Sequence, residues 1–399
     1  MTRSLWLDSS SGRSHEELDV AIIGGGIIGA GAAYWLSRRQ GLKVALMEGT
    51  RLAGGATGRG AGFVLRGVRP YYNQAVKTYG REPAKYLLGF AEESQALLRD
   101  LVQRHGNSFE LIACGSYLLA CSLEELQDLH ESAELMREDG FDCEYQKEDP
   151  LGRDFYGALF NPGDCGINPA KLVRALAEAS GFSVHEDEPV SRIELDDRKR
   201  LVVTTPRRLL TCARVLVTTN AYSPLLEPSF EGKVEPARLQ ILVTQPLRKS
   251  ILERLCCANY GWEYFRQLPD KRLLLGGCRE LFCQQEVGYA DIVTQPVQIA
   301  LEHYLKQRFP DVAGVPIDYR WSGVAGYTND GLPLVGELSQ LPGVYFAVGC
   351  NGHGLGYGLN MSRLLTEVAL DGKSAGQFAA NRAGLEAEVA AAAAKDRVP

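Results

Sequence analysis

The chain has 399 residues, a formal net charge of −6, 45% hydrophobic residues and 23% charged residues. This composition is typical of a globular protein with about two or three domain-sized units, and it excludes disordered and fibrous chains. Because nucleic-acid binding depends on clustered Lys and Arg, and no such cluster stands out, no nucleic-acid partner is predicted.

The cysteines and the N-terminus indicate a reduced, cytoplasmic protein. Ten cysteines are scattered from Cys114 to Cys350 without a CxxC pair or zinc-finger spacing, so no metal site is predicted. The N-terminus lacks the order of basic, apolar and cleavable regions that marks a signal peptide. Residues 20–37 and 338–362 carry no Asp, Glu, Lys or Arg, but their glycines argue against membrane spans.

The first apolar segments predict a βαβ unit, with a strand at residues 18–23, a helix at 27–39 and a strand at 43–47. Residues 1–17 are polar and are predicted to form an arm. Helices are predicted at residues 82–105, 123–138, 169–180 and 296–309, and a peripheral helix and tail at 379–399. Further strands are predicted at residues 190–195, 200–204, 214–218, 239–246, 260–266, 272–277 and 344–348.

A glycine motif lies between the first strand and the first helix. Gly24, Gly26 and Gly29 form G-x-G-x-x-G, which permits a tight turn and close approach of a pyrophosphate. The backbone N–H groups of Ile27 and Ile28 are expected to face the phosphates, because a helix N-terminus favours anions.

Glu48 completes this dinucleotide-binding pattern. It ends the second strand 24 positions after Gly24, close to the spacing of about 20 expected for the acidic residue that binds the adenosine ribose. The motif alone does not distinguish NAD from FAD, since both contain an ADP half.

Five further segments resemble the D-amino acid oxidase family of flavoproteins, which includes glycine oxidase and sarcosine oxidase. They are GGATGRGAGF at residues 54–63, NPAKL at 168–172, TTNAYSP at 218–224, DGLPLVG at 330–336 and GCNGHG at 349–354. The resemblance implies an α/β fold in which a Rossmann-type, glutathione reductase-like FAD-binding domain carries an inserted substrate domain with a mixed or antiparallel sheet. The FAD-binding domain is expected at residues 18–85, 150–224 and 320–377, the substrate domain at 86–149 and 225–319, and a C-terminal helix or tail at 378–399.

The resemblance also implies which residues bind FAD. In addition to the glycine motif and Glu48, these are Gly55, Ala56, Thr57, Gly58, Arg59, Gly62, Phe63, Val190, Asn220, Gly326, Gly352, His353, Gly354, Leu355 and Gly356. His353 is expected to have a structural or flavin-tuning role, with a general base as the alternative, because loss of a hydride needs orientation more than a dedicated base.

One departure from the family pattern bears on how cofactor and substrate bind. Ala325 stands near the place where glycine oxidase-like sequences have a carboxylate-binding arginine and sarcosine oxidase-like sequences have a flavin-bonding cysteine, and it can replace neither. Non-covalent FAD is therefore predicted. Arg66 and Arg69 follow the flavin loop and are candidates for binding a substrate carboxylate, with surface arginines as the alternative. Further candidates for the substrate pocket, or alternatively for core or surface packing, are Tyr71, Tyr72, Tyr264, Arg266 and Tyr327.

These observations predict an enzyme that oxidises the C–N bond of a small amine or amino acid to an imine, with oxygen or another acceptor taking the electrons. One alternative is a dehydrogenase that uses a quinone or protein acceptor or a 2-hydroxy acid substrate. Another is a non-catalytic flavin-binding partner subunit. The sequence does not specify the substrate, its stereochemistry, the electron acceptor or the oligomeric state.

Overall fold

The structure is a computed structural model that describes residues 12–312 and 314–382. Its helices are α1 Ile27–Leu36, α2 Ala56–Arg59, α3 Tyr72–Tyr79, α4 Arg81–His105, α5 Leu123–Glu138, α6 Pro169–Ser180, α7 Ser223–Leu226, α8 Gln295–Arg308 and α9 Gly354–Asp371. Its strands are β1 Ser14–Ile23, β2 Val44–Met47, β3 Phe63–Val64, β4 Ser116–Leu119, β5 Glu144–Gln146, β6 Ala158–Asn161, β7 Cys165–Gly166, β8 Ser183–His185, β9 Arg192–Leu195, β10 Leu201–Thr204, β11 Arg208–Val217, β12 Glu235–Thr244, β13 Leu255–Ala258, β14 Glu263–Gln267, β15 Leu273–Gly277, β16 Ile317–Tyr327, β17 Leu334–Glu337 and β18 Val344–Val348.

The first sheet has a parallel centre in the order β18–β11–β1–β2–β8, with β17 antiparallel to β18 at one edge. The first half of β11 also pairs with the β9–β10 hairpin, and its second half pairs with β18. In the register, Ile23 at the end of β1 is opposite Met47 and Val217. The loops that follow β1, β2 and β11 therefore meet at the carboxyl edge of the sheet, where open α/β sheets bind ligands.

Both faces of this sheet are buried, which explains the continuous apolar run in β1. Val20 and Ile22 join a core cluster with residues of α1, α4, α6 and α9. Ala21 and Ile23 point to the other face and join a cluster that includes Phe230. Within the described residues, no helix is long and apolar enough to cross a membrane.

The second sheet has the order β16–β12–β15–β14–β13–β4–β6–β5. Its neighbours are antiparallel except for β13 and β4, which are parallel. Side chains alternate between its faces along β14. Phe265 packs with Leu301 of α8 in an apolar cluster, whereas Tyr264 and Arg266 point to the opposite face, toward the glycine-rich segment that follows β2.

Local signals explain the helix boundaries that the sequence predicted well. The Ser122 hydroxyl accepts a hydrogen bond from Glu125 N, which caps α5. Asn168 caps α6 in the same way through Lys171 N, directly before Pro169. Such caps pair backbone donors that a helix leaves without partners at its N-terminus.

The structure corrects several of the predicted boundaries. Residues 14–17, expected in the arm, extend β1 by pairing with β11. Strands β6 and β16 pair in the second sheet, although residues 158–161 and 320–327 were expected in the FAD-binding domain. Helix α4 packs in the core of the first sheet, although most of it was expected in the substrate domain. Of the expected C-terminal helix and tail, residues 383–399 lie outside the described residues.

Candidate active site

A cavity of about 1200 Å³ is lined by residues of both sheets and of the loops between them. Ligand pockets usually measure about 300–1,000 Å³. The cavity is therefore large enough for a dinucleotide cofactor together with a small substrate.

One end of the cavity is formed by the glycine motif at the start of α1. Gly24 has a φ of +108°, and a side chain on Gly29 would place its Cβ 1.9 Å from the Gly24 carbonyl oxygen. Ile27 N donates a hydrogen bond to Thr57 Oγ1 over 3.1 Å. Gly24, Gly26, Ile27 and Ile28 line the cavity, whereas Gly29 packs behind it. This end is shaped for a pyrophosphate at a helix N-terminus.

The carboxylate of Glu48 lies beside this motif. Its Oε2 accepts a hydrogen bond from Gly25 N over 2.7 Å, and its Oε1 accepts from Thr50 N over 2.8 Å and from Thr50 Oγ1 over 3.0 Å. These bonds fix the orientation of the carboxylate. Because each carboxylate oxygen has two lone pairs, acceptor capacity remains for ribose hydroxyls.

The predicted flavin loop borders the cavity but does not contribute every residue expected of it. Of the residues expected to bind FAD, Gly55, Ala56, Thr57, Arg59 and Phe63 of this loop line the cavity, as does Val190. Gly58, Gly62 and Gly326 do not line it, because each packs closely against backbone atoms of a neighbouring segment. Arg59 pairs with Asp291 over 2.6 Å, so its charge is already neutralised.

A second helix N-terminus, that of α9, faces the same cavity. Residues 352–356, which the sequence predicted to bind FAD, line it. Asn220 Oδ1 accepts hydrogen bonds from Gly349 N over 3.0 Å and Cys350 N over 3.1 Å, which holds the loop that leads into α9. His353 Nδ1 lies 3.2 Å from the carbonyl oxygen of Asn351. Burial, with a smaller effect from the charge of Arg69, lowers the pKa of His353 below its usual value, so the imidazole is neutral at pH 7.

Arg69 lies in an aromatic chamber at the other end of the cavity. Its guanidinium carbon is 4.5 Å from the centre of the Trp262 ring and 5.8 Å from that of Tyr327. Across the described residues, no carboxylate oxygen approaches this guanidinium within the 4.0 Å limit of a salt bridge. Tyr71, Tyr72 and Tyr264 also line the cavity. Arg69 therefore offers an unpaired positive charge.

Arg66 also lines the cavity, but its guanidinium is already paired, which argues against its predicted contact with a substrate. Its guanidinium, 2% exposed, pairs with Glu92 and donates through Nη2 to Asn161 Oδ1 over 2.9 Å and to the Asp142 carbonyl over 2.5 Å. These groups already satisfy its charge. Arg66 therefore joins the segment after the flavin loop to α4 and β6.

Arg266, unlike Arg66, does not line the cavity. Its Nη1 donates to the carbonyl oxygens of Gly62 over 3.0 Å and Ile167 over 3.2 Å, and burial lowers its pKa below the usual value. The structure therefore assigns it a supporting role beneath the flavin loop rather than the predicted place in the substrate pocket.

Three contributors to the chamber were missed in the sequence. Tyr260 stacks on Tyr71 with ring centres 5.1 Å apart. Trp262 and Arg279 line the chamber beside Tyr327. The aromatic residues at 260 and 262, close in sequence to Tyr264, were a signal for the first two, although residues 259–262 form the turn between β13 and β14 rather than extended strand. No local signal marks Arg279.

A buried carboxylate, Glu125, supports the stacked tyrosines. It is 1% exposed, and its Oε1 accepts from Tyr71 Oη over 2.6 Å and from Tyr260 N over 2.6 Å, while Oε2 accepts from Cys121 N over 2.7 Å. Tyr72 is held similarly by Asp139 over 2.7 Å. The chamber wall is thus fixed by hydrogen bonds from behind.

Asp164, at the margin of the cavity, gives a prediction about pH. Burial raises its pKa from 3.8 to about 6, even though Ser116 Oγ, Arg66 N and Gln95 Nε2 donate to it. Because the folded-state pKa is the higher one, ionisation of Asp164 costs stability progressively as the pH rises from about 4 to above 6. Between pH 5 and pH 8, we expect the free energy of unfolding of Asp164→Asn to rise by roughly 1.5 kcal/mol relative to that of the wild type.

Denaturant unfolding of both proteins at the two pH values measures this difference. The exposed Asp197→Asn is the matched control and is expected to show no such gain. An equal difference between wild type and Asp164→Asn at pH 5 and pH 8 would contradict the raised pKa.

Comparisons with known proteins agree with this geometry. Residues 19–368 match the family model described as DAO, FAD dependent oxidoreductase. The chain is 27% identical over 367 residues to the gamma-glutamylputrescine oxidoreductase of Escherichia coli, covering 88% of this chain and 83% of that protein. It is also 27% identical over 385 residues to the probable oxidoreductase OrdL of Haemophilus influenzae, covering 89% of this chain and 83% of that protein.

Among solved structures, glycine oxidase from Geobacillus kaustophilus superposes with a TM-score of 0.77 at 24% identity, covering 92% of this chain and 99% of that one. This similarity confirms the predicted α/β fold with an FAD-binding sheet and a separate, mostly antiparallel sheet. The family match spans both sheets and most of the chain. The protein belongs to the DAO family of FAD-dependent oxidoreductases.

Proposed function

We propose that the protein binds FAD non-covalently and oxidises the C–N bond of a small amine or amino acid to an imine. The observation that carries this proposal is the continuity of one cavity, which joins the dinucleotide end at Gly24 and Glu48 to the aromatic chamber at Arg69, Tyr264 and Tyr327. A cofactor spanning the first end would bring its reactive ring beside a substrate in the second.

The residues present fit FAD. The N-terminus of α1 suits the pyrophosphate, and the N-terminus of α9 suits the edge of the flavin ring. The fixed carboxylate of Glu48 suits the ribose. Ala325 lines the chamber and offers no atom for a covalent bond. Cys257 and Cys350 also line the cavity, but burial raises the pKa of each thiol to about 12, which disfavours the thiolate. These features support non-covalent binding.

The chamber residues would bind and orient the substrate. Bound FAD would accept the hydride from the carbon next to nitrogen. The Arg69 guanidinium would hold a carboxylate where the substrate has one, because its planar fork matches that group. His353 stays neutral and donates from Nδ1 to the Asn351 carbonyl, so it orients the loop before α9 without adding charge.

The test is an absorbance spectrum of the purified protein before and after acid precipitation, followed by anaerobic addition of a panel of amines, amino acids and 2-hydroxy acids. We expect a yellow chromophore that acid releases as FAD, and bleaching by a member of the first two classes. Bleaching by 2-hydroxy acids alone would overturn the C–N assignment. Retention of FAD without bleaching by any compound would favour a partner subunit that does not turn over.

Reoxidation after bleaching identifies the electron acceptor. Fast recovery of the flavin absorbance on admission of oxygen, with release of hydrogen peroxide, indicates an oxidase. Slow recovery that a quinone accelerates indicates a dehydrogenase.

A further inference from the structure

Arg279 brings a second positive charge into the chamber. It follows β15, directly after Cys278, whose φ of +55° turns the chain toward the cavity. The guanidinium carbon of Arg279 lies 5.6 Å from the centre of the Tyr327 ring, while that of Arg69 lies 5.8 Å from the same centre. One half-buried tyrosine therefore contacts both cations.

Neither cation has an acidic partner in the described part of the chain. Arg279 donates from Nε to the Glu286 carbonyl over 3.4 Å and from Nη1 to Cys283 Sγ over 3.8 Å, and neither acceptor belongs to a carboxylate. The neighbouring carboxylates have other contacts, since Glu280 accepts from Asn259 and Asp291 pairs with Arg59.

The acidic residues nearest to Arg69 do not change this arrangement. Glu124 and Asp128 border a smaller, adjoining cavity that Arg69 also lines, whereas Arg279 does not line it. Asp128 accepts hydrogen bonds from Asn73, Gln74 and Tyr260. The side of the chamber formed by Arg279 thus has a positive charge without a counter-charge.

Two cations beside one aromatic ring repel each other, and a bound anion relieves this repulsion. One carboxylate can occupy the fork of one guanidinium bidentately. A second guanidinium in the same chamber therefore has capacity for a second anionic group.

We propose that Arg279 binds a second carboxylate of the substrate, so that the preferred substrates are amino acids or amines with two acidic groups. Arg69 holds the first carboxylate, as in the proposed function, on which this inference rests. Arg279 is thereby a specificity-determining residue, and the spacing between Arg69 and Arg279 selects the length of the substrate.

The experiment titrates the FAD-loaded protein with unreactive carboxylates and follows the perturbation of the flavin absorbance. At constant ionic strength, we expect malonate or succinate to bind about tenfold or more tightly than acetate or propionate, because each charge-assisted contact adds at least that factor. Arg279→Met should remove this preference while leaving the dissociation constants of the monocarboxylates within about twofold.

Two further variants separate local from general effects. Arg69→Met should weaken monocarboxylates and dicarboxylates alike. Arg272→Met is the matched control, because Arg272 belongs to the same hairpin but pairs with Asp270 and Asp318 outside the cavity. It should leave the binding of every probe unchanged.

Several outcomes would overturn the inference. One is equal binding of mono- and dicarboxylates by the wild type, which needs no variant to fold. Another is an equal loss of affinity for mono- and dicarboxylates in Arg279→Met, since this would indicate that both arginines bind one shared carboxylate. A dicarboxylate preference without bleaching by any amine or amino acid would instead contradict the proposed function and leave the anion site in place.

Discussion

Replacing Gly29 with alanine is expected to abolish FAD binding and to lower the free energy of unfolding by about 3 kcal/mol. The new Cβ would lie 1.9 Å from the Gly24 carbonyl oxygen and 2.8 Å from Thr218 Oγ1. Neither atom is free to move, because Gly24 N donates to the Met47 carbonyl over 2.8 Å and Thr218 Oγ1 donates to the Ile23 carbonyl over 2.9 Å. Relief of the clash must therefore displace the loop that faces the pyrophosphate.

Gly89→Ala is the matched control for this substitution. Gly89 lies in the middle of α4, and a Cβ there would meet no atom within 4 Å. The control should retain FAD, and its free energy of unfolding should rise by about 0.5–1 kcal/mol, since alanine is the better helix former. The measurements are the flavin-to-protein absorbance ratio and denaturant unfolding. Retention of FAD by Gly29→Ala with an affinity within a few-fold of the wild type would show that the loop tolerates the displacement.

The cofactor end of the site was predictable because its signals are local. The turn at Gly24, the helix after it and the acid at Glu48 lie within one short βαβ unit, and all three border the cavity. The end of α1 was placed too late by three residues. Ser37 N still bonds to the Ala33 carbonyl, but the chain then turns toward Gly41, where φ is +77°.

Pairings between distant segments set the limits of the sequence analysis. Residues 14–17 are polar and lack an apolar pattern, yet they form strand because residues 208–211 pair with them. Arg66 and Arg69 are three residues apart in one segment and look alike as carboxylate binders. Glu92 and Asn161, which are distant in sequence, pair with Arg66. No described carboxylate pairs with Arg69, and the local sequence does not reveal this difference.

Replacement of Arg238, which belongs to a buried ion pair, is expected to have the largest effect on stability outside the cofactor loop. Its Nε lies 2.7 Å from Glu286 Oε2, and the two side chains are 6% and 1% exposed. The same arginine donates to the carbonyl oxygens of Gln285 and Ala290, while Gln240 and Thr294 donate to the Glu286 carboxylate. These bonds hold residues 285–294 against β12.

We expect Arg238→Met to lower the free energy of unfolding by about 3–5 kcal/mol, because it leaves the Glu286 carboxylate buried without its cation. The matched control is Arg39→Met, which removes an exposed partner of Asp371 and should cost less than about 1 kcal/mol. Urea unfolding of the FAD-loaded proteins measures both values. Equal losses in the two variants would show that burial adds nothing to the pair.

The loss in Arg238→Met should also depend on pH, with a direction set by Glu286. In the wild type, burial raises the pKa of Glu286 but the bonds from Arg238 and its neighbours outweigh it, so the pKa lies below the usual value and the ionised form adds stability that is lost as the pH falls. In the variant, burial without the cation favours the protonated form, so the difference between the two proteins should shrink from pH 7 toward pH 5. Because Arg279 donates a hydrogen bond to the carbonyl oxygen of Glu286, the same variant should lose the preference for dicarboxylates even where it remains folded. A stable Arg238→Met protein with its preference intact would show that Arg279 is positioned by β15 alone.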